Sequence, residues 1–320
     1  MKTILLTNDY DDAVLHVVES EVPRGFELIT LKDAGDDPGI IPRIDYILAG
    51  GRRWIGRDLL ENAAQLKMIQ RSGVGLDSLD LNCIKERRIP LYVNPGINAQ
   101  SVAEHTVMLI LATLKNLPLV NDNVHRGIWK KQSQGIKNHE LHGKTVGVVG
   151  LGNIGKRVCA LLRAFGAEVL YFDKTKLSQF QEKEMSICFC PLDQMFSCVD
   201  IITLHCGLTE ETRNLVNEKR LSSMKDGAIV INTARGGLVN ESSLARHVEM
   251  GRIAAGLDVF QKEPANLDNP LLGLEKVIAT SHISGITYES FRAMMNEAMK
   301  NIALFERGDF EKISDKRVVL

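Results

Sequence analysis

A glycine-rich turn between a strand-like and a helix-like segment constrains the fold of this chain more than any other feature. Residues 150–155 read GLGNIG, which fits the pattern GxGxxG. The pattern alone recurs by chance, but here residues 146–149 before it are β-rich and residues 154–165 after it are helix-like. That context is required for a βαβ unit that binds the pyrophosphate of a dinucleotide at its helix N-terminus. The candidate cofactor contacts in this turn are Gly150, Gly152, Asn153, Ile154 and Gly155.

An acidic residue after the next β-rich run indicates which dinucleotide is bound. Asp173 follows residues 168–172, at about the 20-residue separation expected for an acid that accepts hydrogen bonds from the adenosine ribose. A 2′-phosphate there would meet a like charge, so NAD is favoured over NADP. Lys174 and Lys176 could reduce the repulsion, which leaves NADP as the less favoured alternative. A glycine-rich turn that binds no dinucleotide is the other alternative.

Short β-rich runs alternate with helix-like runs along almost the whole chain, which is typical of a parallel α/β architecture. Residues 99–117 are predicted to form one long, buried helix, and the polar residues 130–139 a linker. The length of 320 residues favours two domains. The predicted strands are residues 3–6, 26–31, 46–48, 67–70, 144–149, 168–172, 201–204, 228–232, 253–259 and 276–280, with a closing helix over 288–307.

The charge balance and the cysteines exclude several classes of protein. The formal net charge is −1, with 39 basic and 40 acidic residues, so neither nucleic acid nor a membrane is predicted as a partner. The longest strongly apolar run ends at Lys115 and is shorter than the roughly 18 to 20 residues that span a bilayer. Acidic residues come too soon after Met1 for a signal peptide. The six cysteines show no metal-ligand spacing, so we expect reduced cysteines, no metal site and a cytoplasmic protein.

Three polar segments at the ends of predicted strands carry the residue types needed to oxidise a 2-hydroxy acid. That reaction needs a cation for the carboxylate and a base for the hydroxyl proton. Arg235 follows residues 228–232 and has the planar fork that binds a carboxylate through two hydrogen bonds. Asp258 and Glu263 stand at the end of the next strand, and His282 follows the one after it. Open α/β sheets place their ligands at these carboxyl ends, so the three segments are predicted to form one site.

Together with the glycine turn, these segments resemble the D-isomer-specific 2-hydroxyacid dehydrogenase family, which includes phosphoglycerate, glycerate and D-lactate dehydrogenases. The resemblance covers nearly the whole chain. It implies two Rossmann-like, doubly wound parallel-sheet domains with the active site in the cleft between them. Residues 1–100 and 286–320 would form the substrate-binding (catalytic) domain, and residues 101–285 the NAD-binding domain. Further motifs that carry the resemblance are residues 71–77 (RSGVGLD), 94–96 (NPG), 101–104 (SVAE) and 141–144 (LHGK).

The resemblance also implies a role for each polar residue. Arg235 would bind the substrate carboxylate, and His282 would be the general acid/base at the C2 oxygen. Glu263 would pair with His282 and raise the pKa of that histidine. Asp258 would hold the nicotinamide carboxamide. The implied catalytic residues are Arg235, Glu263 and His282; the implied substrate contacts are Arg71, Val74, Gly75, Arg235 and His282; the implied cofactor contacts outside the glycine turn are Asp173, His205, Cys206, Thr233, Ala234, Asp258 and His282.

Three positions depart from the commoner pattern of the family. Ser281 precedes the histidine in place of proline, Ser284 replaces glycine or alanine, and Gly207 replaces a proline near the cofactor. The glycine is expected to loosen a loop that lines the nicotinamide side. None of the three departures removes a reacting group.

The substrate is less well defined than the reaction. Phosphoglycerate-type members carry an arginine near the end of the strand predicted at residues 46–48, whereas here Arg52 and Arg53 come slightly later. Arg71 could also reach an anionic tail. A glycerate-, phosphoglycerate- or hydroxypyruvate-like acid therefore ranks first, followed by a bulkier 2-keto acid.

Two other functions stay open at the level of sequence. Formate dehydrogenases of the same broad family generally carry glutamine at the position of Glu263, so the glutamate argues against that activity. Dinucleotide-sensing corepressors of the C-terminal-binding type keep the arginine, glutamate and histidine, so these three residues do not exclude such a role.

The resemblance further implies a homodimer, with the partner contacted by the helix that starts at residue 101 and by the segment up to Trp129. Trp54 and Trp129 are interpreted as packing residues, with the cleft mouth as an alternative place for Trp54. His105 has no chemical partner in the sequence pattern and is interpreted as structural.

Overall fold

The computed structural model describes residues 1–51 and 53–318, so Arg52 lies outside the described residues. The strands are β1 (Lys2–Leu6), β2 (Phe26–Thr30), β3 (Tyr46–Ala49), β4 (Met68–Arg71), β5 (Leu91–Tyr92), β6 (Thr145–Val149), β7 (Glu168–Phe172), β8 (Cys188–Phe189), β9 (Ile201–Leu204), β10 (Ala228–Asn232), β11 (Ile253–Leu257), β12 (Val277–Ala279) and β13 (Arg317–Val318). The helices are α1 (Asp12–Ser20), α2 (Leu31–Asp36), α3 (Arg57–Asn62), α4 (Leu81–Glu86), α5 (Ala99–Leu114), α6 (Leu117–His125), α7 (Lys131–Gly135), α8 (Asn153–Ala164), α9 (Gln179–Met185), α10 (Leu192–Cys198), α11 (Glu218–Ser223), α12 (Glu241–Glu249) and α13 (Tyr288–Glu306). Short 3-10 helices occupy Pro38–Arg43, Gly236–Leu238 and Phe310–Lys316.

The chain divides into two compact units, one of Met1–Asn98 with Tyr288–Leu320 and one of Ala99–Thr287. The first unit has a six-stranded sheet in the order β13-β5-β4-β3-β1-β2, parallel except for β13. Its order β2-β1-β3-β4-β5 is that of a flavodoxin-like doubly wound sheet. Buried side chains alternate between the two faces: Leu5 packs with α3 and α4, whereas its neighbours in β1 pack with α13.

The second unit has a seven-stranded, fully parallel sheet in the order β12-β11-β10-β9-β6-β7-β8. The run β8-β7-β6-β9-β10-β11 has the strand order of a dinucleotide-binding fold. Val148 packs with α5 and α8 on one face of the sheet, and Val149 packs with α10, α11 and α12 on the other. Both faces are covered by helices, so the predicted doubly wound α/β fold class is confirmed.

The prediction of one helix over residues 99–117 is wrong at its C-terminal end. The helix α5 ends at Leu114, and Asn116 has a left-handed backbone with φ 48°. The helix α6 starts beyond it with Pro118 in its first turn, where a missing N–H and a fixed φ are tolerated. The polar stretch predicted as a linker contains the short helix α7.

The interpretation of the two tryptophans as residues packed within the chain is also wrong, whereas the alternative place of Trp54 at the cleft mouth stays a prediction. Trp54 is 60% exposed and Trp129 is 81% exposed. None of the described helices has the length and apolarity that a membrane span requires.

Candidate active site

The carboxyl-end edge of the second sheet gathers the predicted site residues into adjacent loops. The strands β6, β9, β10, β11 and β12 are successive, parallel neighbours in the sheet. In that order they are followed by Gly150, His205, Arg235, Asp258 and His282. Ligands of open α/β sheets bind outside these ends, on either side of the point where strand order reverses, here between β6 and β9.

The glycine turn has the geometry of a pyrophosphate site. Gly150 has a φ of 95°, and a Cβ there would lie 2.7 Å from the backbone of His205 and Cys206. A Cβ on Gly155 would lie 2.0 Å from the Gly150 carbonyl oxygen, so the close packing of α8 on β6 requires glycine. A Cβ on Gly152 would meet nothing within 4 Å. The space beside the turn at this position is therefore open. The helix α8 starts directly after it with no side-chain cap, which leaves its N-terminal amides for an anionic group.

Asp173 is fixed beside this turn by backbone amides. Its Oδ2 accepts a hydrogen bond of 2.7 Å from the Leu151 N–H, and its Oδ1 accepts one of 3.0 Å from the Thr175 N–H. The carboxylate therefore ties the end of β7 to the glycine turn. An acid held there fits a ribose and repels a 2′-phosphate.

The two nearby lysines are both engaged by neighbouring side chains. The Lys174 ammonium pairs with the Glu211 carboxylate, and the Lys176 ammonium lies 5.0 Å from the centroid of the Phe189 ring. Each lysine therefore has a competing partner that a bound 2′-phosphate would have to displace. This arrangement supports NAD over NADP.

His282 and Glu263 form a hydrogen-bonded pair. The His282 Nδ1 lies 2.9 Å from the Glu263 Oε2, and the histidine side chain is 35% exposed. The other carboxylate oxygen of Glu263 accepts a 2.7 Å hydrogen bond from the Phe260 N–H, which fixes the carboxylate. The Nδ1 atom is thus bound to the glutamate, and the Nε2 atom lies on the opposite side of the ring.

Asp258 organises the loop that carries this histidine. Its side chain is fully buried, and its oxygens accept hydrogen bonds of 2.9 Å from the N–H groups of both Ile283 and Ser284. Its carbonyl oxygen accepts a further hydrogen bond of 2.8 Å from the His282 N–H. Three successive amides are thus bound by one residue. His282 itself has a left-handed φ of 57°, which is uncommon outside glycine and requires support of this kind.

Arg235 stands in a tight turn after β10. The Asn232 side chain spans this turn, since its Nδ2 donates to the Arg235 carbonyl at 2.9 Å and its Oδ1 accepts from the Ala234 N–H at 3.1 Å. A Cβ on Gly236 would lie 1.9 Å from the Phe260 carbonyl carbon, so the arginine loop packs tightly on the loop after β11. Arg235 is half-buried, and one of its guanidinium nitrogens donates to the Ala234 carbonyl at 2.8 Å.

His205 and Cys206 form the wall against which the glycine turn packs. The Nε2 of His205 lies 2.9 Å from the Thr203 Oγ1. Burial lowers the pKa of His205 to about 3 and raises the pKa of Cys206 to about 11. Both side chains are therefore neutral near pH 7, and they add no charge beside the turn.

The first unit holds the remaining predicted contacts at the end of β4 and in the loop after it. Arg71 is only 8% exposed and donates to the carbonyls of Gly75 at 2.7 Å, Gly51 at 2.7 Å and Gly50 at 3.2 Å. These hydrogen bonds fix the backbone of the loop around the guanidinium. In the same loop the side chain of Val74 is 51% exposed.

The sequence did not point to several polar residues that support these loops. Thr280 donates to the Asp258 Oδ1 at 2.6 Å, and the His105 Nε2 lies 3.0 Å from the same threonine oxygen. Thr106 contacts Thr233 across 3.0 Å. The partners in the two α5 contacts are 175 and 127 positions apart, so no short-range pattern in the sequence predicts these contacts. A threonine two residues before the proposed acid/base was the only available signal.

The fold and the site together define an oxidoreductase that uses NAD, and comparison with known proteins identifies its family. Residues 107–284 match the D-isomer specific 2-hydroxyacid dehydrogenase, NAD binding domain, family model. The chain is 38% identical to a hydroxypyruvate reductase of Thermotoga maritima over 82% of this chain and 85% of that protein. It therefore belongs to the D-isomer-specific 2-hydroxyacid dehydrogenase family and is an NAD-dependent oxidoreductase of D-2-hydroxy acids.

Two further comparisons agree with this assignment. The chain is 37% identical to a D-3-phosphoglycerate dehydrogenase of Archaeoglobus fulgidus over 78% of this chain, but it spans only 47% of that protein's length. The crystal structure of D-lactate dehydrogenase from Aquifex aeolicus, complexed with NAD and lactic acid, superposes with a TM-score of 0.86 at 30% identity. That alignment covers 100% of this chain and 99% of the other.

Proposed function

We propose that the chain interconverts a small D-2-hydroxy acid and its 2-keto acid, with His282 as the general acid/base. The observation that carries this assignment is the 2.9 Å hydrogen bond between the His282 Nδ1 and the Glu263 Oε2. A carboxylate bound to one ring nitrogen fixes the orientation of the imidazole, so the other nitrogen can be directed toward the reacting oxygen.

The charge and chemistry of each group determine which step of the reaction it is proposed to perform. When bound, NAD would accept the hydride from C2 of the hydroxy acid, and NADH would donate a hydride to C2 of the keto acid in the reverse direction. His282 moves the proton at the C2 oxygen, and Arg235 binds the carboxylate through its guanidinium. Glu263 keeps the imidazole in place between turnovers.

The loop after β4 is proposed to add backbone donors for the substrate carboxylate. The candidates are the amides of Val74 and Gly75, in a segment that Arg71 holds in shape through the Gly75 carbonyl. Arg71 is also proposed as a substrate contact, and its hydrogen bonds to the carbonyls of Gly75, Gly50 and Gly51 hold its guanidinium at this loop.

A glycerate-, phosphoglycerate- or hydroxypyruvate-like acid is proposed as the substrate, ahead of a bulkier 2-keto acid. The relatives named above as hydroxypyruvate reductase and D-3-phosphoglycerate dehydrogenase support this order. The arginines after β3 that would favour a phosphorylated tail begin with Arg52, outside the described residues, and continue with the exposed Arg53.

The direct test is oxidation of NADH and NADPH against glyoxylate, hydroxypyruvate, its 3-phosphate, pyruvate, 2-ketoisocaproate, phenylpyruvate and oxaloacetate. We expect NADH to be preferred and hydroxypyruvate or its phosphate to give the highest kcat/KM. The reverse reaction is expected with D-glycerate and not with L-glycerate. Preference for phenylpyruvate would overturn the substrate order, and NADH binding without turnover of any acid would favour a dinucleotide sensor.

The chain is also proposed to act as a homodimer in the cytoplasm. Support comes from large apolar side chains that stay exposed on α5 and α6, beside α7 and just after the end of α8. Met108, Leu117, Val124, Trp129, Ile136 and Phe165 are each at least 45% exposed. Patches of this kind mark protein interfaces. Light scattering at micromolar concentration is expected to give twice the monomer mass, and a monomer would contradict the proposal.

A further inference from the structure

Two consecutive residues of α5 contact the two loops that carry the proposed catalytic side chains. His105 lies against the loop after β12, with its Nε2 3.0 Å from the Thr280 Oγ1. Thr106 lies against the turn after β10, with its Oγ1 3.0 Å from the Thr233 Oγ1. All four residues lie in the second unit. One turn of one helix therefore contacts both loops.

The direction of each hydrogen bond follows from the single proton that each threonine hydroxyl can donate. Thr280 donates its only hydroxyl proton to the Asp258 carboxylate at 2.6 Å, so it must accept from the His105 Nε2–H. Thr106 donates its hydroxyl proton to the Val102 carbonyl at 2.7 Å, so it must accept from the Thr233 hydroxyl. In the first series His105 donates to Thr280, which donates to Asp258. In the second series Thr233 donates to Thr106, which donates to the Val102 carbonyl. Reversing either threonine contact would break the hydrogen bond that follows it.

The first series ends at the residue that binds the histidine loop. Asp258 accepts from the amides of residues 282, 283 and 284, and these bonds hold His282 in its left-handed conformation. Thr280 is the side chain that bonds Asp258 from the start of the same loop. His105 in turn fixes the threonine hydroxyl. Burial lowers the pKa of His105, which favours the neutral ring that this series of bonds uses.

We infer that His105 and Thr106 are positioning residues for the reaction, setting the place of the His282 loop and of the Arg235 turn relative to one helix. The inference rests on the proposed roles of His282 and Arg235. Neither α5 residue is assigned a contact with substrate or cofactor. Misplacing a reacting group by about 1 Å can cost about 100-fold in rate, so hydrogen bonds that fix its loop have a measurable effect on turnover.

The experiment compares isosteric and conservative variants of the series that contacts the His282 loop. Thr280→Val removes the hydroxyl and keeps the shape, whereas Thr280→Ser keeps the hydroxyl. With hydroxypyruvate and NADH, or the best acid of the panel, we expect Thr280→Val to lower kcat about 10- to 100-fold with little change in KM. Thr280→Ser is expected to stay within about threefold of wild type, and NADH affinity, measured by fluorescence, to stay within about twofold in both.

The second series is expected to give a different kinetic signature. Thr106→Val loosens the turn of Arg235, which is proposed to bind the carboxylate, so KM for the keto acid is expected to rise about tenfold. Thr106→Ser is expected to restore it. A merely structural role would not separate a kcat effect at residue 280 from a KM effect at residue 106. The matched control is Thr113→Val, which removes a hydroxyl that bonds the Leu109 carbonyl of the same helix at 2.7 Å.

His282→Ala separates failure of this inference from failure of the proposed function. If His282→Ala keeps wild-type turnover, the proposed function is wrong and the inference falls with it. If His282→Ala is inactive but Thr280→Val turns over like wild type, the inference alone is overturned. Adding Thr280→Val to His282→Ala is expected to slow the residual rate by less than about twofold, because the loop no longer carries the acid/base.

A second pair of variants decides the question if Thr280→Val does not fold. His105→Gln keeps an N–H donor at similar reach and is expected to retain most of the turnover, whereas His105→Phe is expected to lose as much as Thr280→Val. Equal rates for the two His105 variants would overturn the inference.

Discussion

Asp173 shows how one carboxylate can serve both the fold and the choice of cofactor. Its oxygens accept hydrogen bonds from the Leu151 and Thr175 amides, so the negative charge is held at the end of β7 beside the glycine turn. The neighbouring Lys174 pairs with Glu211. The local charge therefore favours a ribose that carries free hydroxyls.

We expect Asp173→Ser to increase the ratio of NADPH to NADH kcat/KM about tenfold, because it removes the repulsion of a 2′-phosphate. A factor of ten corresponds to about 1.4 kcal/mol, which is reasonable for one partly solvated charge. The matched control is Glu184→Gln on the exposed side of α9, which removes a charge away from the turn. An unchanged ratio in Asp173→Ser would show that other residues exclude NADPH.

His205 makes stability depend on pH. Burial lowers its pKa to about 3 in the folded chain, against about 6.5 when unfolded. The neutral ring therefore contributes stability fully above pH 6.5, and this contribution is lost as the pH falls from 6.5 toward 3. We expect the wild type to lose about 1 kcal/mol of unfolding free energy between pH 7.5 and 5.5 from this group.

The measurement is urea unfolding at the two pH values in wild type and in His205→Gln. The variant is expected to be less sensitive to acid, since its amide does not titrate. If both proteins lose the same free energy between pH 7.5 and 5.5, the ring is not held neutral by the fold.

At the scale of elements, buried parallel strands were predicted best. The bounds of β7, β9 and β10 agree with the predicted residues 168–172, 201–204 and 228–232. Such strands are covered on both faces, so they form continuous runs of β-branched and other apolar residues. The shortest strands were missed: β5, β8 and β13 are two residues each, too short for a periodic pattern.

Elements that end through backbone conformation were harder to predict than elements that end in a change of polarity. The break after α5 occurs within an apolar run, and it depends on the left-handed Asn116 and on Pro118. The loops of the site show the same contrast. The sequence named Glu263 and His282 because each stands at a strand end, but it left His105 as a structural residue.

The loop after β4 depends on one buried amide. Asn94 is 2% exposed; its Nδ2 donates to the carbonyls of Ser72 and Met294, and its Oδ1 accepts from Gln70 and Asn301. All four hydrogen-bonding positions of the amide are therefore used. This arrangement explains why an asparagine stands after β5.

We expect Asn94→Ala to lower the free energy of unfolding by about 2 to 4 kcal/mol, because it leaves several buried polar groups without partners. Asn138→Ala is the matched control, a partly exposed asparagine whose Oδ1 accepts one hydrogen bond from the Asn116 Nδ2. Its effect is expected to be below about 1 kcal/mol. Equal losses in the two variants, by chemical denaturation, would contradict the role given to Asn94.

At the scale of the whole molecule, the residues proposed for the reaction and those proposed for substrate choice lie in different parts of the chain. The second unit contains the glycine turn and all three proposed catalytic residues, and the family match at residues 107–284 lies within it. The first unit contains the loop with Val74 and Gly75 and the arginines after β3. We therefore expect reaction class to be shared with the relatives and substrate preference to be particular to this chain.

The measurement that tests the central claim most directly is the turnover of His282→Ala compared with its affinity for NADH. We expect kcat for 2-keto acid reduction to fall about 100-fold or more, as the loss of a general acid implies, while the Kd for NADH changes by less than about threefold. Wild-type turnover in His282→Ala would contradict the role of this histidine and, with it, the mechanism proposed for the protein.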